Sequence, residues 1–194
     1  MKPTPIVHLL SGGLDSVVML YDLKVQGCQI HCALFDYQQR HVQELTWAKH
    51  HCHRLGVLFT TITLPQLRGS ELTDGSGGVI VPNRNAIMLD LSVNLAVEAK
   101  ADLVTFAANK DDAEVFPDCR PEFVEAYNVM LRKAGISVQA AAPYINERKE
   151  NIAALGQELG VRFSETWSCY RGGLQPCGVC GACLKRDAAL KGIQ

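Results

Sequence analysis

The chain has 194 residues, with 19 Lys and Arg against 20 Asp and Glu, for a net charge of −1. That balance excludes the basic field of a protein whose main partner is nucleic acid or an anionic membrane. At this length one domain with a small appendage is expected, with a core that holds together without disulfides. Hydrophobic residues at 47% and aromatic residues at 7% describe a globular protein, neither disordered nor fibrous. No apolar run reaches the roughly 18 residues that span a bilayer. The apolar patch ending at Leu10 runs straight into Gly12-Gly13 and Asp15, a poor setting for cleavage, so no secretory leader is expected. Eight cysteines in such a chain point to thiol or metal chemistry in a reducing, cytoplasmic setting.

Ile6–Leu10 is a short apolar run before a Ser-Gly-Gly turn, the pattern of a buried strand. Asp15–Gln26 carries Val17, Val18, Leu20, Tyr21 and Leu23 at helical spacing and closes at Gly27. A second strand is expected over Ile30–Phe35, a second helix over Val42–Leu55 ending at Gly56, and a third strand over Leu58–Leu64. Arg68–Pro82, with four glycines and few apolar residues, reads as a mobile loop over a site. Asn85–Lys100 is a strong helix with Asn85 as its N-cap, and Leu103–Ala107 a fourth strand. Asn109–Cys119 is polar loop; Pro121–Lys133 is a helix with Pro at its first position and Gly135 behind it. Glu147–Leu159 is a last helix, stopped by Gly160.

Alternating strands and helices make an α/β fold: a doubly wound, mainly parallel sheet flanked by helices. Ligands of such sheets sit at the carboxyl ends of the strands, so the loops after Leu10, Phe35 and Ala107 should share one edge. In the first of these, Gly12 and Gly13 let the backbone turn so that successive N–H groups point into one concavity at a helix N-terminus. Ser11 and Ser16 add hydroxyl donors, which makes an oxyanion cradle. A Walker P-loop is absent, because no Lys follows the glycines. The competing interpretation is a Gly-rich turn with Asp15 or Ser16 as helix cap.

Further polar residues fall on the same edge. Asp36, Gln39, Arg40 and His41 build a site better than a core. Arg84 precedes the strong helix and has the fork geometry for phosphate. Asn109, Asp112, Asp118 and Arg120 suit a polar heterocycle, the acids accepting from its N–H groups and the Arg gripping a carboxylate. Cys119 reads equally as a small hydrophobe, a neighbour of ligand or a nucleophile.

Cys169, Cys177, Cys180 and Cys183 lie within 15 residues, with C-x2-C spacing and glycines that allow tight turns. Four converging thiolates are the donor set of a closed, structural tetrathiolate zinc site. A [4Fe–4S] cluster is the rival, and disulfides suit a reducing compartment poorly. Cys28, Cys32 and Cys52 read as ordinary core or surface residues.

The S-G-G-x-D-S pattern at Ser11–Ser16 resembles the signature of PP-loop ATP pyrophosphatases, which split ATP between the α and β phosphates. Seven segments in order resemble the 7-cyano-7-deazaguanine synthase family within that superfamily: SGGLDS, FDYQQRH, GSELT at Gly69–Thr73, VPNRN, FPDCRPEF, ETWSCY, and CGVCGAC followed by Arg186. The resemblance implies that Leu10, Ser11, Gly12, Gly13, Leu14, Asp15, Ser16, Val17, Asp36, Arg84 and Lys149 hold ATP with Mg2+. Among these, Ser11, Asp15, Ser16, Arg84 and Lys149 would act in catalysis. It also implies that Tyr37, Gln39, Arg40, His41, Asn109, Asp112, Phe116, Asp118, Cys119 and Arg120 bind 7-carboxy-7-deazaguanine, with ammonia as co-substrate. Cys169, Cys177, Cys180 and Cys183 would hold one structural Zn2+ per chain of a homodimer. The expected units are 1–164, binding ATP, and 165–194, a zinc-binding segment packed on it.

Three departures accompany the resemblance. Lys149 lies six residues after Pro143, but the usual K-x-E is Lys149-Glu150-Asn151. The stretch between Thr73 and Val81 is short, and Ala107-Ala108 stands where the family carries Gly. A PP-loop tRNA-thiolating enzyme with an iron–sulfur cluster is the alternative, and the net charge of −1 argues against it.

Overall fold

In the computed structural model residues 4–193 are described; residues 1–3 and 194, the outermost of the two expected units, lie outside the described residues. Five strands form one sheet: β1 (Pro5–Leu9), β2 (Gln29–Asp36), β3 (Leu58–Thr63), β4 (Leu103–Thr105) and β5 (Gln139–Ala141). They run in the order β3-β2-β1-β4-β5, and every pairing is parallel. Parallel strands need crossovers, which α1 (Leu14–Val25), α2 (Gln43–Leu55), α3 (Arg84–Ala99) and α5 (Pro121–Lys133) supply. A single turn, α4 (Lys110–Ala113), follows β4, and α6 (Lys149–Glu158) and α7 (Gly181–Ala189) complete the set.

The two sheet faces bury separate cores. On one face Leu14, Val17 and Leu20 of α1 pack with Leu45 and Ala48 of α2 and Ile152 of α6. On the other, Leu89, Val93 and Ala96 of α3 pack with Tyr127 and Leu131 of α5. The chain therefore winds one way through β1–β3 and crosses to the other side through α3. The strand order reverses between β1 and β4, and a crevice opens there beyond the carboxyl ends of both strands.

Several expectations shift by a residue at element ends. Three elements were not expected: β5, only three residues long, α4 inside the segment read as loop, and α7 in the cysteine tail. The N-cap of α3 is Asn83 rather than Asn85, because Asn83 adopts a left-handed conformation (φ 60°) that starts the helix at Arg84. The segment over Arg68–Pro82 is a self-bonded turn. Asp74 accepts the N–H groups of Gly69, Ser70 and Ser76, the Ser70 hydroxyl donates to the Gly78 carbonyl, and Arg40 N–H donates to the Leu72 carbonyl.

Gly12 shows why the first turn needs glycine. Its φ is +87°, and a Cβ there would collide with the Glu44 carbonyl oxygen and stand 2.9 Å from the Ala48 nitrogen of α2. Gly12→Ala should therefore destabilise the fold by about 3 kcal/mol through strain and displaced backbone. Urea unfolding measures this, and an unshifted midpoint would mean the close approach of α2 does not matter.

Candidate active site

The loop from Leu10 to Gly13 leaves β1 and feeds straight into α1. Ser11 Oγ accepts the Gly13 N–H (3.2 Å) and lies 3.0 Å from Ser16 Oγ, which donates to the Gly13 carbonyl (3.1 Å). The two hydroxyls brace the turn, and both residues also border the cavity beyond it. Also facing outward is the first turn of α1, whose N–H groups have no carbonyl within the helix to meet. His8, fully buried on β1, ties this loop to the sheet: its Nδ1 lies 3.0 Å from Thr105 Oγ1 and its Nε2 2.9 Å from the Ser16 carbonyl. A carbonyl only accepts, so Nε2 carries the proton. Burial lowers the His8 pKa to about 4 and keeps that neutral form. Sequence reasoning passed over His8, whose polar identity inside the apolar run IVHLL was the available signal.

Lys149, first residue of α6, reaches across the crevice and places Nζ 2.8 Å from Asp15 Oδ2. Its backbone N–H donates to Asp111 Oδ2 (2.8 Å), and Arg148 pairs with the other Asp111 oxygen at 3.1 Å. Burial opposes the Lys149 charge, but Asp15 and Asp112 hold its pKa above the ordinary lysine range. Asp15 Oδ1 is buried and has no partner. Asn109 uses its whole amide on Asp112, accepting its N–H (3.0 Å) and donating to its carboxylate (2.8 Å). Burial raises the Asp112 pKa.

Arg84 opens α3 on the far side and donates to the Tyr37 hydroxyl at 3.2 Å. Burial opposes its charge, yet Tyr37, Glu44 and Asp118 hold the guanidinium protonated. Asn85 donates toward the Asp118 carbonyl (3.4 Å) and Cys119 Sγ (3.6 Å). Burial pushes the Cys119 thiol up to about 12, which disfavours the thiolate a nucleophile requires. Of its three expected roles, the small hydrophobe and the ligand neighbour both fit a thiol buried in the second core and on the cavity wall, and the nucleophile does not.

These groups line one cavity of about 250 Å³. Leu10, Ser11, Gly13, Leu14, Asp15, Ser16, Tyr37, His41, Arg84, Asp112, Phe116, Cys119 and Lys149 all reach its wall. Other expected residues stand behind or beside it. Val17 is core, and Gly12 forms the turn beneath. Asp36 accepts the Gln38 N–H, and Gln39 holds the turn after β2 by accepting the Tyr37 N–H and donating to the Phe35 carbonyl and Glu44. Arg120 is exposed and donates to the Ala113 carbonyl. Arg40 and Phe116 line a neighbouring cavity of about 350 Å³ with Glu71, Tyr170, Arg171 and Lys185.

The cysteine tail supplies a wall that sequence reasoning did not assign. Trp167, Ser168, Tyr170 and Ala182 border the first cavity, and the Trp167 N–H donates to the Gly12 carbonyl at 2.9 Å. Arg186 ties this wall together, donating to the Thr166 hydroxyl (2.7 Å) and the Phe163 carbonyl. The Sγ atoms of Cys169, Cys177, Cys180 and Cys183 lie within 4.8 Å of one another. Four sulfurs converging this closely fit a tetrahedral metal site, whose bonds of about 2.3 Å require such spacing. Backbone N–H groups of Val179 and Cys180 help lower the Cys177 pKa to about 6, so a thiolate is favoured there. Burial pushes Cys183 up to about 12, so its thiolate needs a cation beside it.

Solved structures share this fold at low sequence identity. A U34-tRNA thiolase NcsA from Methanococcus maripaludis, solved with its [4Fe–4S] cluster, superposes with a TM-score of 0.56 and 15% identity over 96% of this chain and 63% of that one. An NMN synthetase from Francisella tularensis gives a TM-score of 0.53 and 15% identity over 100% and 79%. The sheet order, the serine–glycine turn at its switch point and the opposed lysine define a PP-loop α/β protein. The family model for queuosine biosynthesis protein QueC matches residues 5–194. A 7-cyano-7-deazaguanine synthase of Caldicellulosiruptor bescii is 38% identical over 204 residues, covering 96% of this chain and 92% of that one. One from Rhizobium johnstonii is 40% identical over 202 residues, covering 94% and 86%. The chain belongs to the QueC family.

Proposed function

We propose that this protein is an ATP-dependent carbon–nitrogen ligase that converts 7-carboxy-7-deazaguanine and ammonia to 7-cyano-7-deazaguanine. The observation that carries this reading, beside family membership, is the Lys149–Asp15 pair set over the first turn of α1 in a cavity that Arg84 also enters. The substrate carboxylate oxygen attacks the α-phosphorus of ATP, the bond to the β-phosphate oxygen breaks, and pyrophosphate leaves. Ammonia then attacks the acyl carbon of the adenylate and AMP departs with the bonding pair, leaving an amide and releasing a proton. The amide oxygen then attacks the α-phosphorus of a second ATP, pyrophosphate leaves and the nitrogen gives up one proton; departure of AMP with loss of the second N–H proton leaves the nitrile.

No step here needs a protein nucleophile; positioning and charge neutralisation suffice. The α1 N-terminus receives phosphate oxygens with Ser11, Gly12, Gly13, Asp15 and Ser16 shaping the turn. Lys149 and Arg84 offset the charge that develops on the phosphates, and Mg2+ accompanies ATP. Tyr37, His41, Asp112, Phe116 and Cys119 surround the deazaguanine, with Asn109, Asp118, Gln39, Arg40 and Arg120 beside them. The four cysteines would hold a structural Zn2+, which with every position taken supplies rigidity. Residues 1–164 form the ATP-binding unit and 165–194 the metal-holding segment, in a cytoplasmic homodimer.

Mass spectrometry of products from the acid, ATP and ammonia tests the reading. Nitrile with AMP and pyrophosphate is expected. Amide as end-point would restrict the activity to the first half, and no AMP from the acid would overturn it.

A further inference from the structure

Among the described residues, four side-chain polar atoms are buried without a partner, and two of them, Asp15 Oδ1 and His41 Nδ1, belong to residues on the cavity wall. Asp15 already meets Lys149. The His41 ring is 6% exposed and leaves one nitrogen with nothing to bond. A buried polar atom of this kind is costly unless something fills its place. Glu44, which also lines the cavity and which sequence reasoning overlooked, settles what can fill it.

Glu44 Oε2 lies 3.5 Å from His41 Nε2, and Glu44 Oε1 accepts from Gln39 Nε2 at 3.1 Å. The Gln39 amide cannot flip, because its oxygen accepts the Tyr37 N–H and its nitrogen donates to the Phe35 carbonyl. Gln39 is thus a donor to Glu44. Burial pushes the Glu44 pKa up to about 7, against the pull of the Gln39 bond and the Arg84 guanidinium, so the carboxylate is the form present above that pH. A carboxylate beside Nε2 places the ring proton on Nε2 and leaves Nδ1 a bare acceptor. Burial and Arg84 lower the His41 pKa to about 4, so the ring stays neutral. The ring contacts around it are aromatic: Tyr37 stands edge-on at 6.5 Å and Tyr170 tilted at 6.5 Å. Such walls suit a flat heterocycle.

We infer that His41 Nδ1, with its tautomer set by Glu44, accepts a hydrogen bond from the N–H edge of a purine-like base in this cavity. The inference rests on the function proposed above, which supplies two such bases, the deazaguanine acid and the adenine of ATP. His41 contacts the base, and Glu44 is a positioning residue acting through it.

Steady-state kinetics above the Glu44 pKa, with the acid, ATP and ammonia varied in turn, separates the sources. In Glu44→Gln the amide can donate to Nε2, which moves the ring proton to Nδ1 and turns the acceptor into a donor. The KM for one base should rise about tenfold, with kcat changed less and the ammonia KM unmoved. His41→Phe should do the same. His41→Asn, whose amide oxygen can occupy the place of Nδ1, should recover within about threefold of wild type. A rise for the acid assigns the contact to deazaguanine, and a rise for ATP assigns it to adenine. A change confined to the ammonia KM, or base KM values within about twofold of wild type in folded variants, overturns the inference.

Histidine 15N NMR of the wild-type protein, at the same pH, decides the matter independently of turnover and of variant folding. Nδ1 of His41 should be unprotonated in the free protein and shift when the acid or ATP is added. A protonated Nδ1 overturns the inference. Failure of the proposed function would show differently, as absent AMP release by a protein whose His41 signal has the expected form.

Discussion

Lys149→Ala should lower the rate of acid-dependent AMP formation by about a thousandfold, the scale on which one preorganised charge counts in a transition state. The lysine ammonium lies 2.8 Å from Asp15 in the first turn of α1, with side-chain exposures of 17% and 15% for the two residues. Its removal does more than subtract a charge. Asp15 then keeps a buried carboxylate with Oδ1 already unpartnered and turns it toward an incoming triphosphate. The same substitution should destabilise the free protein by about 3 kcal/mol, because an ion pair that loses one member leaves the other uncompensated. Adding Asp15→Asn to Lys149→Ala should restore most of that stability and none of the rate. Stopped-flow pyrophosphate release and thermal unfolding read the two effects separately. Recovery of rate in the double variant would show that Lys149 served only to neutralise Asp15.

Stripping the metal from the cysteine tail should be the second large perturbation. A closed four-thiolate site contributes on the order of 10 kcal/mol to ordering the segment that carries it. That segment holds the cavity wall in place: Trp167 bonds the Gly12 carbonyl, Lys185 Nζ donates to the Asp111 carbonyl at 2.9 Å, and a Cβ at Gly172 would collide with the Arg40 carbonyl. Chelation should therefore lower the melting temperature by about 10 °C or more and weaken ATP binding at the same time. Trp167, buried beside Cys169, should report the loss as a fluorescence change. A colourless holoprotein with one zinc per chain matches the proposed cofactor; a brown one would replace it with an iron–sulfur cluster. Metal loss that leaves Trp167 emission and ATP affinity intact would show that the tail does not support the cavity.

How much was legible beforehand depends on how local each signal is. The turn at Ser11–Ser16, the helix stops at Gly27, Gly56, Gly135 and Gly160, and the four-cysteine cluster depend on near neighbours in the chain, and all are found where the sequence placed them. The three-residue strand β5 has too few side chains for any alternation to register. Asn83 in a left-handed conformation moved a helix start that Asn85 had marked just as well by composition. Ser11 and Ser16, expected as ligand donors, also bond within their own turn while lining the cavity, a second role their spacing does not announce.

His8 and Glu44 show the other limit. A histidine inside an apolar strand is a signal without a stated partner, and a glutamate in the first turn of a helix is ordinary in sequence. Their meaning comes from Thr105, 97 positions away from His8, and from the Arg84 side chain brought beside Glu44 by the α3 crossover.

The sequence by itself therefore determined the class of fold, the serine–glycine turn and the cysteine cluster, because each follows from backbone conformation and residue spacing over a few positions. Tertiary structure alone decided that Lys149 meets Asp15, that the cysteine tail walls the cavity, and that His41 Nδ1 is buried without a partner. Those outcomes depend on burial and on charges from distant segments, and neither is a property of any short stretch of chain.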